Sequence, residues 1–84
     1  MYKNRAADGR CNLCGEQVAA LRKERGLSQR ALADRLQLVG IDLDKNAVQR
    51  MESGQRFVTD IELAALARVL GVTLEALVGT EEQK

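Results

Sequence analysis

The sequence predicts an all-α protein, a compact bundle of five helices, and three observations carry that expectation. Apolar residues recur at three- and four-residue intervals in successive segments, the spacing of a helix face rather than of a strand. The chain has just two aromatic residues, Tyr2 and Phe57, and few β-branched runs, so strands lack their usual material. No proline interrupts it, and Gly26, Gly40, Gly54 and Gly71 each follow a periodic segment, where a helix stop belongs. With 84 residues, 45% apolar and 30% charged, it is an ordinary single domain with limited burial. Idealised helix packing or dimer formation is expected to supply part of the stability.

The elements follow in order. Gly15 to Arg25 places Val18 and Leu21 on one face, with Arg22, Lys23 and Arg25 in the last turn, where cations suit the helix dipole. Ser28 is an N-cap for the second helix, whose Ala31, Leu32, Leu36 and Val39 form one apolar stripe ending at Gly40. The link GIDLD is longer than a tight turn, with Ile41 and Leu43 able to tuck inward and Asp44 placed to cap the third helix, Lys45 to Ser53. Thr59 with Glu62 three residues on forms a capping box for the fourth helix, along which Leu63, Leu66, Ala67 and Leu70 keep helical spacing. Thr73 caps a short fifth helix, LEALV. Residues 1–13 are expected to be a flexible arm, 14–79 the folded domain and 80–84 a frayed tail.

Composition narrows the function classes. The absence of histidine removes Ser/His and Cys/His nucleophile pairs, His-ligated metals and the commonest general acid/base, so a non-enzymatic protein with no cofactor is expected. No apolar run approaches the roughly 18 residues of a membrane span, and the start MYKNRAADGR has no signal-peptide core, which predicts a cytoplasmic protein. The net charge of +1 hides a polarity: residues 1–58 carry 11 Lys/Arg against 7 Asp/Glu, and residues 59–84 carry 2 against 5. The first part can present a basic face to an anionic partner.

The third helix, within KNAVQRMESG, has two unlike sides. Ala47, Val48 and Met51 fall on one arc, while Lys45, Asn46, Gln49, Arg50 and Ser53 fill the other. That polar arc lacks the Glu/Lys pairs at four-residue spacing that decorate a merely solvated face. Two adjacent short helices joined by a glycine-containing turn, the second polar on its outer side, outline a helix-turn-helix. In order and spacing, LRKERGLSQRALADRL, then NAVQRMESG, then LAALARVLGVTLEALV resemble the Cro and phage-repressor (XRE) type of helix-turn-helix DNA-binding domain. The resemblance covers about Gly15 to Val78 and implies a lambda-repressor-like bundle with helices two and three forming the motif.

Function follows from the same resemblance. A helix in the major groove of double-stranded DNA discriminates base pairs only through side chains that bridge to base edges, and Lys45, Asn46, Gln49 and Arg50 are of that kind. The resemblance places Lys45, Asn46 and Arg50 at base-reading positions with Gln49 beside them. It implies phosphate contacts from Ser28 and Gln29 at the start of helix two and from Gln55 and Arg56 after helix three. It also implies that Glu52 pairs with Arg22, locking the reading helix to the body of the domain. Leu32, Leu36, Val48, Met51, Leu63, Leu66 and Leu70 read as core, and Phe57 as a plug between helices three and four. A sequence-specific transcriptional regulator acting as a homodimer on DNA is the leading expectation. Leu74, Leu77 and Val78 are candidate dimer contacts or, equally, seals of the monomer core. The alternative class is a protein-interaction or antitoxin-like module on the same fold.

Two features depart from the family pattern. The link QLVGIDLDK is longer than the usual short LGVS-like connection, which bears on the angle of helix three, and Asp44 is expected to turn back as a cap. Cys11 and Cys14 form a CxxC. Two thiolates are half of a tetrahedral site, so reduced thiols without metal are expected, Cys14 near the core and Cys11 near the surface. A zinc shared between two chains, or an oxidation-sensing disulfide, are the alternatives.

Overall fold

The computed structural model describes residues 9–78, and all regular structure among them is helical. The elements are α1 (Gly15–Glu24), α2 (Gln29–Leu38), α3 (Lys45–Glu52), α4 (Asp60–Leu70) and α5 (Leu74–Val78). Four of the five starts are capped by the residue just before the helix. Ser28 Oγ accepts from the Ala31 N–H at 3.0 Å, Asp44 Oδ1 from Ala47 at 2.8 Å and Thr73 Oγ1 from Ala76 at 3.1 Å. Thr59 and Glu62 exchange both bonds of a capping box. These side chains satisfy backbone donors that a helix start leaves without partners.

Val18, Leu32, Leu36, Val48, Met51, Leu66, Leu70 and Leu77 are fully buried and form the centre of one core, against which Leu21, Ile41 and Leu63 pack. α3 lies against both α1 and α2, and α5 closes the far side against α1 and α4. The long link between α2 and α3 is pinned. The Ile41 N–H donates to Leu36 O at 2.9 Å and the Gly40 N–H to Gln37 O at 3.0 Å, a Schellman closure of α2. Leu43 then drops into the core at 6% exposure, leaving Asp44 in place to cap α3. The extra length is thus absorbed by one buried leucine.

Two expectations are corrected and one open alternative is resolved. Phe57 is 51% exposed and does not plug the gap between α3 and α4, whereas Met51 of α3 and Leu66 of α4 are fully buried. Leu77 is fully buried and seals the monomer core, leaving Leu74, half-exposed, and the partly buried Val78 as the accessible residues of that trio. The flexible arm does not extend through residue 13, because Arg10, Cys11 and Asn12 are all hydrogen-bonded to residues 51–56. Residues 1–8 of the arm and the tail expected at 80–84 lie outside the described residues.

Candidate nucleic-acid interface

The interface is built around α3, eight residues long. Ala47, Val48 and Met51 are buried, and this anchoring turns Lys45, Asn46, Gln49 and Arg50 outward, all four exposed. A shallow groove between α2 and α3 is lined by Arg30, Asp34 and Gln37 on one wall and by Asp44, Lys45 and Asn46 on the other. Arg30 belongs to this surface although the sequence reading passed over it. Its signal was its place in the first turn of α2, directly after Ser28 and Gln29. Asp34, one turn on along α2, is also exposed in the same groove.

The end of α3 is fixed. The Arg22 guanidinium donates to both carboxylate oxygens of Glu52, Nε at 2.7 Å and Nη2 at 3.1 Å, and its Nη1 donates to Leu27 O at 2.7 Å. Both side chains are about nine-tenths buried, so the charges are held by geometry and by the additional bonds around them. Gln29 Nε2 donates to Glu52 Oε1 at 3.0 Å, joining α2 to the same carboxylate. Glu52 therefore ties α1, α2 and α3 together. Gln29, read from the sequence as a phosphate contact, spends one of its side-chain donors on this internal lock.

The loop after α3 is held by two internal engagements that the sequence does not show. Arg56 forms a bidentate pair with Glu62, at 3.0 and 3.1 Å, and donates to Phe57 O as well. Its hydrogen bond to Glu62 raises the arginine's affinity for its proton, while the same bond holds the Glu62 carboxyl below its ordinary value. Arg56 is thus a neutralised brace between the loop and α4 rather than an open cation. The Gln55 N–H donates to Arg50 O at 2.8 Å, closing α3, so what Gln55 presents to a partner is its exposed side chain. Ser28 is exposed, its Oγ engaged in the cap.

Sequence reasoning missed Asn12. Its Nδ2 donates to Met51 O at 3.1 Å and Arg56 O at 2.7 Å, while its Oδ1 accepts from the Gly15 N–H at 2.8 Å. The bond to Gly15 is local, but no short-range pattern signals the two carbonyl partners, which lie 39 and 44 residues away. Cys11 and Cys14 are free thiols on either side of it. Cys14 is buried, and burial pushes its thiol up, away from the thiolate needed for nucleophilic attack or metal binding. Among the described residues no group of three or more Cys, Asp or Glu is arranged to hold a metal ion.

An all-helical domain whose second and third helices meet through a pinned turn, the third anchored inside and polar outside, is of the helix-turn-helix class and points to DNA binding. The chain belongs to the helix-turn-helix domain family, whose model matches residues 14–78. Comparison with curated proteins and with solved structures gives no match. No helix among the described residues is long and apolar enough to cross a membrane.

Proposed function

We propose that this protein is a sequence-specific transcriptional regulator, without enzymatic activity, that reads the major groove of double-stranded operator DNA through α3. The observation that carries the reading is the two-sidedness of that helix. Three buried apolar residues hold it, and Lys45, Asn46, Gln49 and Arg50 stand exposed on its other side. Asn bridges to the donor–acceptor pair of adenine and Arg to the two acceptors of guanine, so this set is suited to discriminating bases. Lys45, Arg50 and Arg30 supply positive charge on the same surface, and the capped start of α2 adds outward backbone donors for a phosphate.

Binding as a homodimer to two half-sites about 34 Å apart is the expected mode. Leu74 is the exposed apolar residue available to a partner copy on α5. The test is selection from a random duplex pool at fixed salt. Enrichment of one motif, arranged as a repeat of two half-sites, supports the reading; retention of all sequences alike overturns it in favour of a protein-interaction module.

A further inference from the structure

An eight-residue helix has little stability of its own, and its last four carbonyls have no partners within it. In α3 all four are engaged. Gln49 O accepts from the Ser53 N–H, and Arg50 O from the Gln55 N–H at 2.8 Å. Met51 O accepts from the Gly54 N–H and from Asn12 Nδ2, and Glu52 O from Arg10 Nη2 at 2.8 Å. Half of the helix end is therefore closed by a segment some forty residues upstream. The Cys11 N–H adds a bond to Gly54 O at 2.8 Å, and Asn12 Nδ2 continues to Arg56 O.

The close approach is reflected in two glycines. A Cβ at Gly54, where φ is +80°, would lie 2.7 Å from Arg10 Cζ, and one at Gly15 would strike the carbonyl oxygen of Met51. Gly54 has no room for a side chain while Arg10 stays where it is, and Gly15 has none while α1 and α3 stay this close. The Arg10 charge also sits at the carbonyl end of α3, the end that favours a cation.

We propose that Arg10–Asn12 is a positioning strap for the reading helix, with Asn12 the residue through which it sets how Asn46 and Arg50 meet DNA. This rests on the DNA-reading function proposed above. Asn12 touches no base. It bridges the start of α1 to the end of α3, so a shift of the strap tilts α3 about its buried face.

Asn12→Asp separates clamping from capping. The aspartate keeps an acceptor for the Gly15 N–H but sets a carboxylate oxygen against the carbonyls of Met51 and Arg56. Two measurements are made on the full chain. Amide exchange at Ser53, Gly54 and Gln55 is expected to rise about tenfold, with Leu32 and Leu63 unchanged. Affinity for the selected duplex is expected to fall about tenfold while affinity for random duplex is unchanged.

Unchanged exchange together with unchanged preference overturns the strap, and an equal loss on both duplexes reduces it to general stability. Should Asn12→Asp not fold, Arg10→Met removes the bond to Glu52 O together with the ion pair to the exposed Glu16, and leaves the Asn12 bond to the Gly15 N–H in place. The same rise in exchange and the same loss of preference are then expected, and their absence overturns the proposal. If the wild-type protein enriches no sequence, the DNA-reading function fails, whereas amide exchange still decides whether the strap clamps α3.

Discussion

The two ends of α3 are held by different means. At its start a single cap, Asp44 Oδ1 to the Ala47 N–H, secures the backbone, and Lys45 and Asn46 beside it are exposed. At its end the Glu52 side chain meets Arg22 and Gln29, and the backbone is closed by Arg10 and Asn12. The difference separates two tasks along two turns of helix. In the proposed function the free end leaves side chains unspent for base reading and the locked end keeps α3 from wandering, which matters because bidentate hydrogen bonds depend on orientation.

The strongest way to break this contrast is Glu52→Ala. It leaves the buried Arg22 without its carboxylate and Gln29 without its acceptor, and a loss of about 3–5 kcal/mol in unfolding free energy is expected, read from urea denaturation. DNA affinity should fall with it through loosening of α3. A thermal midpoint equal to that of wild type would remove the lock from the account.

Asn46→Ala and Arg50→Ala address the recognition surface. Each is expected to weaken binding to the selected duplex by about 1–3 kcal/mol and to relax preference at one base pair. Stability should stay within about 0.5 kcal/mol of wild type, since both side chains are exposed. Taken together with Glu52→Ala, these variants put binding losses on the exposed arc of one helix and folding losses at its locked end.

Asp44→Ala sharpens the comparison at the start of α3. Loss of a cap costs about 1 kcal/mol, well short of the effect at Glu52, and Asp44→Asn is expected to restore most of it. The smallest expected effect is the pH dependence from the brace beyond α3. Glu62 is held below its ordinary value by Arg56, so its contribution is fully present above the ordinary glutamate value of 4.5. It is lost as pH falls through the lowered one. In Glu62→Gln the acid side of the stability curve should flatten, measured as the urea midpoint against pH. Arg56→Ala should change the salt dependence of DNA binding less than Arg50→Ala, because Arg56 is already paired.

The parts of the fold legible in the sequence were those decided within a few residues. Ser28, Asp44, Thr59 and Thr73 cap helices because a short polar side chain before an apolar period reaches the donors of the next turn. The glycine after α2 and the one after α3 stop them for an equally local reason. The long link misled least where its pattern was clearest, since Leu43 turned inward as its apolar character required. Phe57 was assigned to the interior on apolar character alone, and character does not say which of several apolar residues reaches a given gap. The resemblance implies Arg56 as a phosphate contact, and what it does not reveal is that Glu62 lies within reach of the same guanidinium, because the loop folds back onto the start of α4.

By itself the sequence determined five helices, the caps of α2 to α5, the glycine stops of α1 to α4, and which arc of α3 is buried. All of these are periodic or capping relations spanning a few positions. Tertiary structure alone decided that Gln29 is shared with Glu52, that Leu77 belongs to the core, and that Asn12 closes a helix about forty residues downstream. Such contacts depend on where whole elements come to rest. A side chain's hydrogen-bonding capacity is written in its identity, but its partner is set by packing.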